Sequence, residues 1–268
     1  MGVTVGAALR AGGAEVAWAS HGRSDASRGR AQGAGLHDAG DLARLVRESD
    51  VIVSVCPPHA AEEVAREVLA LGFTGTYLDA NAIAPERAWS LEERVRGVGG
   101  VFVDGGIVGP PAVRAGTTTL HLSGPDAARL AAAFGAGPFG VEVVSDRVGD
   151  ASALKMCYAA YSKGATALRA AQLAAAESLG VRGALLAQWE RDEPGSGAEV
   201  EDRVRRVTAK AWRFEGEMHE IAATFAAAGL PDGFHVAAAE VYARLARYRG
   251  AAEAPDVAAV LEALLDDR

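Results

Sequence analysis

The sequence predicts an N-terminal α/β domain over residues 1–147 and an all-helical C-terminal domain over residues 148–268. In the first part, short runs rich in β-branched residues alternate with stretches of helical periodicity, which is the pattern of βαβ units in a doubly wound parallel sheet. After Gly149 the β-branched runs stop and only helical patterns follow. The first of these covers residues 151–179, and at 1.5 Å per residue its length of roughly 43 Å is enough to connect two domains.

Each element of the N-terminal part follows from a local pattern. Apolar runs predict buried strands over residues 14–19, 51–55, 76–79 and 101–104, and the sheet continues over 117–122 and 140–145. Helices are predicted over residues 3–11, 24–33, 39–48, 60–70 and 85–96. The last of them has Pro85 in its first turn, where the missing N–H needs no partner. Beyond the long helix, helical patterns cover residues 183–190, 198–228, 233–249 and 255–266.

The composition excludes several functional classes. A chain of 268 residues with a formal net charge of −8 lacks the basic surface that a nucleic acid or an acidic membrane would require. No apolar run approaches the roughly 18 residues of a membrane-spanning helix, and the chain does not open on a signal-peptide pattern. Two cysteines, Cys56 and Cys157, are too few for a disulfide framework and fit a reducing cytoplasm. We therefore expect a cytoplasmic enzyme acting on a small molecule.

The start of the chain departs from the usual dinucleotide-binding pattern. Such a domain ordinarily opens with a strand and a G-x-G-x-x-G turn, and a helix follows. Here the helical pattern follows Met1 and Gly2 directly, so the first strand and the first two glycines are absent from this sequence, and Gly2 can only be the third. Our hypothesis is that roughly 8–12 residues ahead of Met1 supply that strand and turn. The genomic sequence before Met1 tests it.

The segment after the predicted strand at 14–19 bears on the choice of nucleotide. An acidic residue there would accept hydrogen bonds from the adenine ribose and select NAD. This chain instead has Arg23 and Ser24, with no acid before Asp25, and Arg28 and Arg30 follow. Because guanidinium groups match a phosphate, the segment favours NADP, with NAD as the weaker alternative. The competing interpretation is an ordinary basic loop.

Further motifs follow in order along the chain: VSVCPP at 53–58, DANAIAP at 79–85, DGGIVGPPA at 104–112 and VGDASALK at 148–155. With Met1-Gly2 and the GRS segment at 22–24, they resemble the β-hydroxyacid dehydrogenases, which include 3-hydroxyisobutyrate and 6-phosphogluconate dehydrogenases. The segment EGEMHEI at 215–221, followed by GLP at 229–231, resembles a less studied branch with its own helical C-terminal domain. The resemblance covers essentially the whole chain. It implies a Rossmann-like first domain, an interdomain helix and a homodimer.

The resemblance also implies roles for individual residues. Gly2, Arg23, Ser24, Cys56, Pro57 and Asn81 would contact the nicotinamide cofactor; Val108, Gly109, Pro110 and Tyr158 would contact the substrate; and Lys155 would be the general acid or base. The composition singles out Lys155 independently, because the chain has 24 arginines and only three lysines. Arginine cannot replace a lysine that must lose its proton. The competing interpretation of Lys155 is a surface lysine. Lys163, two helical turns further on, is either a second group in the same cleft or a solvated lysine.

Two departures from the family bear on the substrate. Members that process hydroxy acids have Ser-Gly-Gly where this chain has Val108-Gly109-Pro110, and Val108 cannot donate a hydrogen bond. Tyr158 and Ala159 replace the family's asparagine pair. The predicted function is therefore an NADP-preferring oxidoreductase that uses a hydroxy or oxo compound other than a simple 3-hydroxy acid.

Two alternatives to this function remain at the level of sequence. An imine reductase has similar architecture, but such enzymes usually place Asp or Tyr at the position of Lys155. A nucleotide-binding protein without catalysis is the second alternative, given the absent first strand. Metalloprotease chemistry is discounted, because His219-Glu220 is followed by Ala223 where a second zinc-binding histidine would be needed.

Overall fold

A computed structural model describes residues 1–134 and 137–266 of the chain. The chain forms two compact units, Met1–Met156 and Cys157–Arg268. The sequence places the boundary at residue 147, ahead of the long helix, whereas the first unit includes the first turns of that helix. These turns belong to the first unit because their backbone is hydrogen-bonded to two of its strands.

The first unit contains two sheets. A small parallel pair is formed by β1 (Ala17–Trp18) and β2 (His37–Asp38). The larger sheet has five strands in the order in which they occur along the chain. These are β3 (Val51–Ser54), β4 (Thr76–Asp79), β5 (Val101–Val108), β6 (Thr118–Ser123) and β7 (Phe139–Ser145).

The sheet differs from the predicted one in three respects. The strands predicted as parallel over 51–55, 76–79 and 101–104 are parallel, but the sheet is mixed, because β6 runs antiparallel to β5. The connection over residues 109–117 is too short for the crossover that parallel neighbours need. The strand predicted over 14–19 is reduced to the two residues of β1, and β2 was not predicted. The strand predicted to end at residue 104 continues through two glycines to Val108.

The first helix joins the two sheets. Helix α1 (Gly2–Ala11) places Gly6 against the side chains of Leu36 and Val16, which flank the small sheet. The neighbouring Val5 and Ala8 are buried in the core of the five-stranded sheet. In the part of the chain that the structure describes, β1 pairs only with β2 and β3 pairs only with β4. Packing through α1 therefore holds together two sheets that share no hydrogen-bonded strand pair.

Apart from the first of them, the remaining helices of this unit cover both faces of the large sheet. They are α2 (Asp25–Gly33), α3 (Leu42–Arg47), α4 (Ala61–Ala70), α5 (Pro85–Gly97) and α6 (Ala127–Ala131), with 3₁₀ turns at Pro58–Ala60 and Ala132–Phe134. Tyr77 and Phe102 point toward α4 and α5, whereas Leu78 and Val103 point toward α1 and α6. This alternation of neighbouring residues, buried on both faces, is what the apolar runs predict. Helix α3 begins later than predicted because Asp41 caps it, with Oδ1 accepting from the Arg44 N–H at 2.8 Å.

The second unit is helical, as predicted. Helix α7 (Asp150–Ser178) begins in the first unit and has the predicted length of 29 residues. The others are α8 (Arg182–Asp192), α9 (Ser196–Ala227), α10 (Gly233–Leu245) and α11 (Val257–Leu265), with a 3₁₀ turn at Ala246–Tyr248. Within the described residues, none of these helices combines the length and apolarity needed to cross a bilayer.

A buried ion pair joins two helices of the second unit. Lys163 of α7 lies 2.8 Å from Glu217 of α9, and both side chains are nearly buried. The hydroxyl of Tyr242 in α10 donates to the Lys163 carbonyl at 2.8 Å. Lys163, predicted as either a second group in the cleft or a solvated one, is nearly buried and holds α7, α9 and α10 together.

Candidate active site

The carboxyl ends of β3 and β4 are tied together by Asn81. Its Oδ1 accepts a hydrogen bond from the Cys56 N–H, and its Nδ2 donates to Ser54 Oγ at 3.0 Å and to Asp79 Oδ2 at 2.8 Å. Asp79 also accepts from the backbone N–H of Asn81 at 3.0 Å. Both hydrogens of the Asn81 amide are thus used inside the protein, so this residue shapes the segment that contains Cys56. The position of its side chain follows from contacts with residues 25 to 27 positions earlier in the chain.

Two titratable groups in this network have shifted pKa values. Burial raises the pKa of Asp79 to about 7, against the two hydrogen bonds from Asn81 that favour its charged form. Burial also raises the pKa of the Cys56 thiol, and the guanidinium of Arg23 partly opposes that shift. The charge of Arg23 therefore reaches the loop after β3, and the structure brings these two predicted cofactor residues into one region.

Gly2 lies at the same end of the sheet. It is the first residue of α1, is exposed, and has the Cβ of Val55 as its nearest neighbour, 3.8 Å from where a side chain would begin. The first turn of α1 contains no acidic residue, and no side chain caps it. A helix N-terminus of this kind presents backbone N–H groups and a partial positive charge. Gly2 thus lies beside Val55, the residue that directly precedes Cys56.

Arg23 and Ser24 lie in the turn that connects β1 to α2. Ser24 is the N-cap of α2, and its Oγ accepts from the Ser27 N–H at 3.4 Å. Arg23 is exposed, with its backbone N–H bonded to the Ser20 carbonyl at 3.1 Å. Asp38, at the end of the unpredicted β2, was not expected here. Hydrogen bonding to the Gly40 N–H lowers the pKa of Asp38, so a carboxylate also lies in this basic region.

Pro57 follows Cys56 and starts the 3₁₀ turn at Pro58–Ala60. It has extended backbone angles, and the carbonyl of the next residue, Pro58, accepts from Arg87 of α5 at 3.1 Å. Arg87 is also held by Glu62 of α4 at 3.0 Å. The loop after β3 is thus fixed from α4 and α5 as well as from Asn81.

A second cluster of buried polar groups lies where α7 begins. Asp104 of β5 accepts four hydrogen bonds: to Oδ2 from Ser123 Oγ at 2.9 Å, from the Gly149 N–H at 3.0 Å and from the Ser152 N–H at 2.9 Å, and to Oδ1 from Ser152 Oγ at 2.6 Å. Ser123 Oγ also accepts from the Ala151 N–H at 3.0 Å. Burial raises the pKa of Asp104, against the opposing effect of these hydrogen bonds. We call Asp104, Ser123 and Ser152 the Asp104 cluster.

Lys155 is half-buried one turn beyond this cluster. It lies directly against β5, because a Cβ on Gly106 would be 2.9 Å from the Lys155 Cβ and 2.6 Å from the Ala151 carbonyl oxygen. Only glycine at position 106 allows α7 to approach the strand this closely. The structure therefore places the predicted catalytic lysine beside the strand that leads to the predicted substrate residues.

The predicted substrate segment begins where β5 ends. Val108 is the last residue of β5, and Gly109 has a φ of +118° with a Cβ position only 2.3 Å from the Thr117 carbonyl oxygen, which requires glycine. The Pro110 carbonyl accepts from Thr118 Oγ1 at 2.6 Å. These contacts close the loop between β5 and β6. Tyr158 lies three residues beyond Lys155 on α7, and 54% of it is exposed.

Sequence analysis missed the Asp104 cluster. It placed Asp104 at the end of a strand and inside a substrate motif, but its partners lie 19 to 48 residues further along the chain. An aspartate at the end of a buried apolar run must find hydrogen-bond donors, so the sequence does indicate that Asp104 has partners, although not which residues they are. Among residues 1–134 and 137–266, no three His, Cys, Asp or Glu side chains are grouped so as to hold a metal ion.

The fold and this site define an α/β protein with a helical second unit and a lysine at the junction of strand and long helix. Its structural neighbours are 3-hydroxyacid dehydrogenases and related reductases, and it belongs to the same family as a protein of Methanothermus fervidus. Residues 176–245 match the family model described as "Domain of unknown function (DUF1932)". A 28.5 kDa protein from the 7S RNA 5′ region of Methanothermus fervidus is 30% identical over 186 residues, which cover 67% of this chain and 68% of that protein.

Solved structures share the fold across nearly the full chain. The conserved protein MTH1747, reported as similar to 3-hydroxyacid dehydrogenases, is 28% identical over 91% of this chain and 92% of its own, with a TM-score of 0.62. The 3-hydroxyisobutyrate dehydrogenase of Mycobacterium tuberculosis, solved with L-serine, is 17% identical over 99% of this chain and 96% of its own, with a TM-score of 0.69. An imine reductase of Streptomyces aurantiacus is 19% identical over 99% of this chain and 96% of its own, with a TM-score of 0.52. At 17% and 19% identity, these last two likenesses establish the fold alone.

Proposed function

We propose that the chain is an oxidoreductase that binds NADP in preference to NAD and interconverts a hydroxy and an oxo group on a small molecule. The observation that carries the proposal is the position of Lys155, held one turn after the Asp104 cluster and against Gly106 of β5. The fold that the chain shares with 3-hydroxyacid dehydrogenases supports the same chemistry. We place the protein in the cytoplasm, where its two unbonded thiols would stay reduced.

The residues near Cys56 fit a nicotinamide dinucleotide. The uncapped start of α1 at Gly2 offers N–H groups to a pyrophosphate, and no acidic residue in its first turn would repel one. Gly2 is adjacent to Val55, and Cys56, Pro57 and Asn81 complete the same end of the sheet. When bound there, the nicotinamide would give or take the hydride.

The NADP preference rests on Arg23, with Ser24 beside it. Arg23 is exposed in the turn between β1 and α2, so a phosphate can approach its guanidinium there. Asp38 opposes this preference, but its carboxylate is already bonded to the Gly40 N–H. A solved relative by fold, Psf3, binds NADP⁺; it is 18% identical, with a TM-score of 0.61.

Lys155 would manage the proton of the reaction. In reduction, its ammonium group donates a proton to the oxygen that becomes the hydroxyl, and in oxidation its neutral amine takes that proton back. Val108 offers the substrate an apolar side chain. The substrate we propose is therefore an oxo or hydroxy compound that does not depend on a serine at position 108 to hold a carboxylate.

Two measurements test this function. Titration of NADPH and NADH while nicotinamide fluorescence is followed should give saturable binding, tighter for NADPH, and Arg23→Ala should weaken NADPH without weakening NADH. Arg47→Ala, an exposed arginine of α3, is the matched control. Binding of neither nucleotide would favour the non-catalytic alternative.

A panel of oxo compounds and cyclic imines with NADPH then identifies the reaction. Turnover of an oxo compound is the expected result. Turnover of imines alone would move the assignment to an imine reductase, whose fold this chain shares.

A further inference from the structure

The Asp104 cluster satisfies the backbone at the start of α7. In the first turn of a helix the N–H groups have no partner within the helix. Here the N–H groups of Gly149 and Ser152 bond to Asp104, and that of Ala151 bonds to Ser123, at 2.9–3.0 Å. Asp104 belongs to β5 and Ser123 to β6, so this capping ties the start of the helix to both strands.

The charge of Asp104 suits this position. A negative charge at a helix N-terminus is stabilised by the helix dipole, and the N–H groups of Gly149 and Ser152 and the hydroxyls of Ser123 and Ser152 all donate to the carboxylate. Asp104 is 1% exposed, and Ser123 and Ser152 are equally buried. Such a buried and fully bonded group fixes geometry, because any displacement of the helix start breaks several bonds at once.

The same strand fixes the next turn of the helix. Gly106 lies two residues beyond Asp104 on β5, on the same face of the strand, and its backbone lies against Ala151 and Lys155. From the other side, Trp89 of α5 donates to the Val148 carbonyl at 2.8 Å. The segment that contains Lys155 is thereby held by bonds at its start and by close packing one turn later.

We infer that Asp104, Ser123 and Ser152 are positioning residues for Lys155, acting through the backbone of the first turn of α7. The inference rests on the proposed function, in which Lys155 handles the proton. Asp104 itself does not reach the reacting atoms. Its loss would release the helix start and move the Lys155 amine away from β5.

The scarcity of lysine provides a direct test. The chain has only Lys155, Lys163 and Lys210, so acetylation by a limiting reagent, read by peptide fragmentation, reports on each amine in one sample. In Ser152→Ala, one charge-assisted bond is lost, which shifts an equilibrium by about tenfold or more. We expect labelling of Lys155, relative to the exposed Lys210, to rise severalfold. The measurement is made below the melting temperature, on protein shown to be folded by circular dichroism.

Asp104→Asn and Ser145→Ala complete the series. Asp104→Asn keeps the shape but not the charge and should release Lys155 further. Ser145→Ala is the matched control, since Ser145 Oγ donates to Asp150 at 2.6 Å at the same helix start but does not touch Asp104. The control should leave Lys155 labelling unchanged.

The outcomes separate positioning from stability and from function. A lower melting temperature with an unchanged ratio of Lys155 to Lys210 labelling in Ser152→Ala would overturn the inference, as would an equal rise in Ser145→Ala. Labelling needs neither cofactor nor substrate, so a failure of the proposed oxidoreductase activity would be seen separately, as no turnover with intact Lys155 positioning. With a substrate found, Ser152→Ala should lower kcat and leave the Kd of NADPH unchanged.

Discussion

Gly106→Ala is the substitution whose effect follows most directly from the geometry. The added Cβ would lie 2.6 Å from the Ala151 carbonyl oxygen and 2.9 Å from the Lys155 Cβ. To reach an ordinary contact of about 3.4 Å, α7 must move away from β5 by about 0.5–0.8 Å, because backbone atoms cannot rotate aside.

Overpacking of this kind costs about 1–3 kcal/mol, and the entropic advantage of alanine over glycine in a strand offsets about 0.5–1 kcal/mol. We therefore expect the free energy of unfolding to fall by about 1–2 kcal/mol in urea. If Lys155 acts at the substrate, a displacement of this size should lower kcat by about tenfold or more, since misplacement by 1 Å can cost about a hundredfold.

The matched control is Gly97→Ala, at the end of α5, where an added Cβ meets no atom within 4 Å. It should be neutral or slightly stabilising and leave turnover unchanged. A Gly106→Ala variant as stable and as active as the parent would refute the claim that close approach of α7 to β5 sets the position of Lys155.

Three further predictions concern other parts of the molecule. Asp79 keeps its proton up to about pH 7 in the folded chain but only up to about pH 4 in the unfolded chain, so its contribution to stability is present below pH 4 and is lost as the pH rises to 7. Relative to Asp79→Asn, the free energy of unfolding of the parent should fall by up to about 4 kcal/mol over that range in urea titrations. Parallel pH profiles of the two proteins would contradict this. Lys163→Met leaves the carboxylate of Glu217 buried without its partner and should cost about 3 kcal/mol, most of it recovered in the double variant with Glu217→Leu; a stable single variant would show that the pair is not buried in solution. Tyr161 and Leu168 lie one heptad apart on α7 and are 82% and 48% exposed, and we expect a second copy of the chain to cover them. Light scattering should then give a dimer for the parent and a monomer for Tyr161→Glu. A monomeric parent would exclude this interface.

Much of the fold could be predicted because it depends on local patterns. The four residues of β4 follow from an apolar run, and the length of α7 follows from its helical periodicity and the absence of proline, with Gly164 as its one internal glycine. The continuation of β5 through Gly105 and Gly106 could not be predicted, because glycine is unfavourable in strands and these two are needed for close packing against β4 and α7. The two residues of β2 give too short a pattern to recognise.

In the candidate site, too, the features that depend on local patterns could be predicted and those that depend on long-range contacts could not. Lys155 could be singled out because lysine is rare in this chain and because the surrounding motif resembles a known family. The groups that hold it, above all Asp104, depend on hydrogen bonds between residues far apart in sequence, which no local pattern encodes. For Asn81 the resemblance implied a cofactor contact, and the structure adds that its amide hydrogens bond to Ser54 and Asp79.

The central claim is that Lys155 carries the proton in a nicotinamide-dependent reaction, and comparison of the parent with Lys155→Ala tests it most directly. With the best oxo substrate of the panel and saturating NADPH, the variant should bind NADPH with the Kd of the parent and lose about 10²–10⁴-fold in kcat. Turnover by Lys155→Ala at the rate of the parent would contradict the account.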